Sequence, residues 1–346
     1  MTAAPPLRDA RGRPLGTLRL SVTDRCNLRC AYCMPEQDYV WLPREDLLRF
    51  EELETLARHF VAAGVRRIRL TGGEPLLRRD LPELVARLAR IEGLEDLALT
   101  TNGVLLAEQA ADLRAAGLRR LTVSLDTLDP DRFERLARRR DLPRVLAGIA
   151  AARALGFPLK LDAVVLRGAN RDELPALLDF ARTQDAELRF IEYMDVGGAT
   201  RWNQSQVVPG DEILALIAAA RGGANLPLAR PDPAAPAARW RTRDGQDFGL
   251  ITSTTRPFCG DCDRSRVTAD GRWLLCLYAR EGVDLRAPLR ESKPAAWFAE
   301  RIRTVWAARA DQGAVERLAL RERRGPMLDL DALLSDPHLE MHVRGG

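Results

Sequence analysis

The sequence predicts an α/β fold built from parallel β-α-β units, on three observations. Short β-rich runs alternate with amphipathic stretches across the first 195 residues, glycines stand at several exits from those stretches, and the alternation stops after Asp195. The expected strands are "TLRLSVT" (17–23), "RRIRLT" (66–71), "DLALTT" (96–101), "RLTVSLD" (120–126), "LKLDAVVL" (159–166) and "ELRFIEYM" (187–194). Between them, "REDLLRFEELETLARHFVAAG" and "DELPALLDFARTQ" carry apolar residues at helical spacing. Strands that alternate with helices imply right-handed crossovers, and both a doubly wound sheet and an incomplete β/α barrel fit. Beyond Asp195, "VGGATRWNQSQ" reads as loop, a helix is expected at 211–220, and "GGANLPLARPDPAAPAA" is a Pro/Ala/Gly-rich excursion. Short strand-like pieces follow from 240 to 278, then a helical tail ending in "HVRGG".

A chain of 346 residues can bury a full core, and 46% hydrophobic with 29% charged residues is the balance of a globular enzyme. No apolar run reaches the roughly eighteen residues of a membrane span, so no membrane partner is expected. The opening "MTAAPPLRDARGRP" lacks the apolar core of a secretory signal, and a cytoplasmic location is expected. The net charge of +4 is mild and gives no ground for a nucleic-acid partner. Of the 53 basic residues only Lys160 and Lys293 are lysines. A single arginine near a motif is therefore weak evidence, and a lysine carries more.

The six cysteines fall into two triplets. Cys26, Cys30 and Cys33 lie in "DRCNLRCAYCMPE"; Cys259, Cys262 and Cys276 lie in "FCGDCDRSRVTADGRWLLCLY". This is not a short secreted scaffold, so a disulfide framework is not expected and two metal sites are the simplest reading. The first triplet, C-x3-C-x2-C, has no histidine nearby, the only ones being His59, His338 and His342. Structural zinc would need a fourth ligand from a distance. A cubane iron–sulfur cluster can instead take three thiolates and leave its fourth iron open to a ligand that is not protein. The loop follows the first expected strand, at the end where β/α barrels carry their chemistry. The second triplet, C-x2-C-x13-C, also suits a zinc ribbon, with the pair His338 and His342 as candidate fourth ligands.

The first triplet resembles the radical S-adenosylmethionine (SAM) superfamily, whose cysteine loop carries an aromatic just before its last cysteine, as Tyr32 does here. In that family the open iron chelates the amine and carboxylate of SAM. "TGGEP" (71–75) resembles the family's glycine-rich segment that meets the SAM amino group, and glycine lets backbone approach a ligand closely. From about Arg11 to its end the chain is similar to the GTP 3′,8-cyclase family, the radical SAM enzymes that open molybdenum cofactor biosynthesis. "LRLSVTDRCNLRCAYCMP", "RLTGGEPLLRRD", "LTTNG", "RFIEYMDVG", "FCGDCDRSR" and the terminal Gly345-Gly346 carry the likeness, in the family's order.

That resemblance implies an incomplete six-stranded parallel β/α (partial TIM) barrel over residues 11–195. It implies a C-terminal α+β region over 196–346 that covers the barrel opening. Two [4Fe–4S] clusters are implied, one on Cys26, Cys30 and Cys33 and one on Cys259, Cys262 and Cys276, the latter with its open iron toward the guanine of GTP. Carried over by position, SAM contacts fall on Tyr32, Gly73, Ser124 and Met194. GTP contacts fall on Arg19, Arg69, Thr100 and Lys160, with Arg264, Ser265 and Arg266 after Cys262. Catalytic roles fall on the first three cysteines with Arg264 and Arg266. The tail Gly345-Gly346 is expected to reach toward the site, although His342 and Arg344 just before it depart from the family. A triphosphate asks for such convergent guanidinium and ammonium donors.

The implied reaction belongs to a lyase. An external one-electron donor of flavodoxin or ferredoxin type reduces the first cluster, and SAM is cleaved to methionine and a 5′-deoxyadenosyl radical. The radical takes the ribose 3′ hydrogen of GTP, and the sugar radical closes on carbon 8 of guanine, giving 3′,8-cyclo-7,8-dihydro-GTP. Cyclic pyranopterin monophosphate synthase would act next, and the family leaves room for a homodimer. Two other readings compete: a radical SAM enzyme acting on a peptide, and a zinc protein that binds nucleic acid. The second expects aromatic-interleaved basic stretches, and aromatics are only 5% here.

Overall fold

The computed structural model describes residues 6–320 and 325–345. Its strands are β1 (Thr17–Ser21), β2 (Arg67–Thr71), β3 (Asp96–Thr101), β4 (Arg120–Ser124), β5 (Leu159–Val165) and β6 (Ala186–Glu192). They continue with β7 (Leu226–Leu228), β8 (Ala238–Arg241), β9 (Asp247–Ile251), β10 (Arg264–Val267), β11 (Arg272–Leu274) and β12 (Val283–Asp284). All twelve join one open sheet in the order β12-β11-β10-β1-β2-β3-β4-β5-β6-β9-β8-β7. The strands expected from sequence are all present, each within about two residues of its expected ends.

Alternation along each strand divides two environments. On β1 and β2, Leu18, Leu20, Ile68 and Leu70 are fully buried against the helices. Arg19 and Arg69, the residues between, pair in register and turn to the other face. The helix Phe50–Ala62 buries Leu53, Leu56, Ala57, Phe60 and Val61, which is the apolar stripe of a 3.6-residue period. Its start is fixed by Glu52, whose carboxylate accepts the Arg49 backbone N–H at 2.7 Å. Gly64, at φ +113°, ends that helix and turns the chain into β2. A buried leucine contributes about 1.5–3 kcal/mol, so these stripes decide that the helices cover one face of the sheet.

The C-terminal region does more than cover an opening: it extends the same sheet at both edges. β9 pairs parallel with β6, and β10 pairs parallel with β1 in the register Thr17↔Arg264 and Arg19↔Arg266. Antiparallel β11–β12 and β8–β7 form the borders. The barrel is therefore incomplete but wider than six strands. Because β1 and β10 run the same way, the first cysteine loop follows the C-terminal end of β1, whereas Cys259 and Cys262 precede β10 at the opposite end. β11 runs back toward that second end and delivers Cys276 there. Among the described residues no helix is long and apolar enough to cross a membrane.

Candidate active site

The sheet's inner face encloses a cavity of about 510 Å³ lined by all six cysteines, a volume within the range of nucleotide-sized ligand sites, ~300–1,000 Å³. At one end lies the first triplet. Its loop makes a tight turn, with Cys33 N–H and Met34 N–H donating to the Cys30 carbonyl at 3.0 and 2.7 Å. It is tethered from outside by Arg29 N–H to the Ala137 carbonyl (3.0 Å) and Ala31 N–H to the Leu136 carbonyl (2.8 Å). Tyr32 donates its hydroxyl to Asp126 at 2.7 Å, and Asp126 is steadied by the Val164 N–H at 2.8 Å. Asp126 went unnoticed in the sequence; a carboxylate closing the run "RLTVSLD" at a strand's C-terminal end was the available signal.

Gly73 lines the cavity and is also required by the backbone packed against it. A Cβ there would stand 2.4 Å from the Arg25 carbonyl oxygen and 2.6 Å from that of Asp24. The glycine is needed because the cysteine loop's own backbone lies against it, sealed by Gly73 N–H to the Thr23 carbonyl (3.0 Å) and Glu74 N–H to the Arg25 carbonyl (2.7 Å). Buried Glu74 then accepts from Leu76 N–H, Thr101 Oγ1 and Asn102 N–H at 3.0, 2.7 and 2.7 Å, tying the end of β2 to that of β3. Burial, outweighing these bonds, pushes its carboxyl up to about 7. Gly73, Tyr32, Ser124 and Met194 all line the cavity at this end.

In the middle, the register aligns Arg266 of β10, Arg19 of β1 and Arg69 of β2 side by side. Arg69 donates to Thr100 and Thr122 hydroxyls at 3.0 Å each. Burial first, then their cationic neighbours, hold Arg19 and Arg69 well below the usual guanidinium range, and the same causes bring Arg266 down to about 10. Among the described residues no carboxylate forms a salt bridge with these three. A row of three cations, Arg266 buried and Arg19 and Arg69 half-buried, with Asp162 as a nearby carboxylate already paired to Arg189, favours the entry of an anion. Lys160 also lines the cavity, but its ammonium is held by Glu187 at 2.9 Å. Arg189 and Asp162 pair bidentately at 2.6 and 2.7 Å on the same wall, a pair not foreseen.

At the far end stand Cys259, Cys262 and Cys276, with Arg264 stacked over Phe258 at 4.6 Å. Ser265 does not line the cavity: strand alternation turns its side chain to the far face of β10, leaving its main chain as the only part able to meet a ligand. Gly345, at φ +73°, packs against Ser21 and Thr71, and Arg266 donates to its carbonyl. The tail thus reaches Arg266 of the arginine row; Gly346 lies outside the described residues. His338 and His342 do not serve the second triplet. His338 Nδ1 and Nε2 are taken by Asp336 (2.8 Å) and Asp270 (2.7 Å). His342 packs edge-on to Tyr39 and Trp41 beyond the first cysteine loop, where burial drives its pKa down to about 3.

The donor sets fit an iron–sulfur cluster at each triplet. Burial, reinforced by nearby negative charge, pushes the Cys26 and Cys276 thiols up to about 11 and raises Cys30 and Cys33 further, so these cysteines are protonated unless a bound metal cluster holds them as thiolates. Burial would raise Cys262 too, but the Arg264 and Arg309 guanidiniums outweigh it and bring the thiol to about 7. Among the described residues no three His, Cys, Asp or Glu side chains are arranged to hold a single metal ion. A cubane, which takes one thiolate per iron, is not bound by that requirement.

Comparison with known proteins agrees with this geometry. Residues 20–181 match the family model described as the radical SAM superfamily, and residues 186–315 match the one described as Molybdenum Cofactor Synthesis C. GTP 3′,8-cyclase 1 of Mycobacterium tuberculosis is 53% identical over 345 residues, covering 98% of this chain and 95% of that protein. GTP 3′,8-cyclase of Xanthomonas axonopodis pv. citri is 46% identical over 336 residues, covering 94% and 98%. The chain belongs to the GTP 3′,8-cyclase family within the radical SAM superfamily. SuiB of Streptococcus suis bound to S-adenosylmethionine aligns with a TM-score of 0.57 at 16% identity, over 84% of this chain and 68% of SuiB. A second SuiB structure holds a precursor peptide, but at 15% identity that likeness shows the fold alone.

Proposed function

We propose that this chain converts GTP to (8S)-3′,8-cyclo-7,8-dihydroguanosine 5′-triphosphate, with SAM and two [4Fe–4S] clusters. The supporting observation is the row Arg266–Arg19–Arg69, which lies between two three-thiol sites in one cavity. Cys26, Cys30 and Cys33 would hold the first cluster, and Cys259, Cys262 and Cys276 the second. When bound, the first cluster and SAM supply the 5′-deoxyadenosyl radical that removes the ribose 3′ hydrogen.

The chain's own residues bind, orient and exclude water. The arginine row takes the triphosphate, with Arg264 and Thr100 beside it, and Lys160 joins after sharing its charge with Glu187. Tyr32, Gly73, Ser124 and Met194 shape the SAM end, and Asp126 fixes Tyr32. Holding the ribose between the two ends converts a bimolecular encounter into an oriented one. Residues 11–195 would form the SAM unit, and 196–346 the unit that brings the second cluster. A flavodoxin- or ferredoxin-type protein would deliver the electron in the cytoplasm, a reducing compartment that suits six ligand thiols. Cyclic pyranopterin monophosphate synthase would consume the product, and the ring closure makes the enzyme a lyase.

The test uses anaerobically reconstituted protein with SAM, dithionite and GTP deuterated at the ribose 3′ position. Deuterium in the released 5′-deoxyadenosine is the expected result. Unlabelled 5′-deoxyadenosine would overturn the assigned hydrogen, and none at all from cluster-loaded protein would overturn the reading.

A further inference from the structure

The segment ahead of β1 packs against the second cysteine triplet. The Asp9 carboxylate accepts the N–H groups of Arg11 and Arg13 at 2.9 Å each and Arg13 Nε at 2.6 Å. Arg13 Nη1 donates onward to the Cys259 carbonyl at 3.0 Å and the Asp311 carbonyl at 2.8 Å. Arg309, just past the helix Ala295–Ala307, approaches from the other side. Its Nη1 donates to Asp9 at 3.3 Å and to the Cys262 carbonyl at 2.8 Å; its Nη2 donates to Cys262 Sγ at 3.5 Å. Both arginine side chains are 1% exposed. Arg309 stacks over Trp306 at 4.5 Å, and Trp306 Nε1 donates to the Arg13 carbonyl at 3.3 Å, which closes the network.

Both guanidiniums pair with the buried carboxylate of Asp9, and Arg309 Nε also pairs with Asp311 at 3.3 Å. Both guanidiniums also donate to the Cys259–Cys262 loop, at the two cysteine carbonyls and at Cys262 Sγ, so the ion pairs hold their donors aimed at that loop. We propose that Arg13, Asp9 and Arg309 form a clamp that holds this loop in its cluster-binding shape, and that Arg309 donates an N–H···S hydrogen bond to the ligating sulfur of Cys262. Arg309 touches no substrate and is a positioning residue. Hydrogen bonds to ligand sulfur favour the reduced cluster, and second-shell partners of this kind govern metal retention. The clamp rests on the reading that the second triplet carries a cluster.

The test compares Arg309→Gln, Arg309→Lys and Trp306→Phe in the anaerobically reconstituted full chain. Each cluster's midpoint potential is read by redox titration with electron paramagnetic resonance, and iron release to a chelator is timed. Arg309→Gln is expected to lower the reduced-to-oxidised ratio of the second cluster about tenfold at fixed ambient potential, a shift of ~59 mV for one electron. Its iron should leave at least about tenfold faster, with the first cluster unchanged. Arg309→Lys, which keeps the charge but loses the planar fork, should fall between, and Trp306→Phe should leave the potential in place. An unmoved second potential in Arg309→Gln, or an equal shift in Trp306→Phe, overturns the clamp. Should Arg309→Gln not fold, an unmoved potential in Arg309→Lys overturns it. Wild-type protein holding iron for one cluster only would instead overturn the two-cluster reading beneath it.

Discussion

Arg19 carries its charge into the cavity because it stands between Leu18 and Leu20, which face the helices. Its neighbours across the strands are Arg69 and Arg266, so an entering anion would relieve the repulsion among them. Charge-assisted hydrogen bonds contribute about 1.5–3 kcal/mol each. Arg19→Ala should therefore weaken GTP binding by about ten- to a hundredfold while leaving guanosine binding near its wild-type value. Calorimetric titration with both ligands checks this, and an equal loss for guanosine would mean that Arg19 does not meet the phosphates. Gly73 is decided by space. A methyl group 2.4 Å from the Arg25 carbonyl oxygen must displace the cysteine loop, because neither side of that contact is a flexible side chain. Gly73→Ala should cost the first cluster and spare the second, so reconstituted protein should retain about four of about eight irons.

At the scale of elements, the C-terminal tail is held by short pieces that would not persist alone. Pro337–Leu339 is anchored through His338 to Asp270, and Met341–Arg344 through Arg344 to the His338 and Leu277 carbonyls at 2.7 and 2.6 Å. Burial alone would lower the His338 pKa, but hydrogen bonds and attraction to Asp270 and Asp336 outweigh it and raise it. The sign follows. The ion pair stabilises the docked tail fully below the unfolded value of about 6.5 and is lost as pH rises through the raised folded value. Amide exchange across residues 337–345, corrected for intrinsic rates, should quicken from about pH 6 to about pH 8. His338→Gln should remove that pH dependence; if it persists, another group governs docking.

At the scale of the whole molecule, two thiol triplets stand at opposite ends of one cavity. Cys276→Ala should leave SAM cleavage by dithionite-reduced protein in place and abolish cyclised product, as separate assays of 5′-deoxyadenosine and product would read. Loss of both would make the two ends one functional unit. The triplets themselves were legible in sequence because all six cysteines fall in two short stretches of the chain, a local pattern. The six strands were legible for the same reason, since hydrophobic period is a property of neighbours. What the chain does with them was not local. The alignment of Arg266, Arg19 and Arg69, the second triplet's place at the cavity's far end, and the edge strands β9 and β10 all depend on pairing across up to some 250 residues. The contact of Arg309 with Cys262 and the close packing at Gly73 likewise arise only once separate stretches of backbone are brought together. The sequence by itself determined the two cysteine triplets and the strands; the tertiary structure decided what they face, because register and side-chain direction are settled by long-range packing.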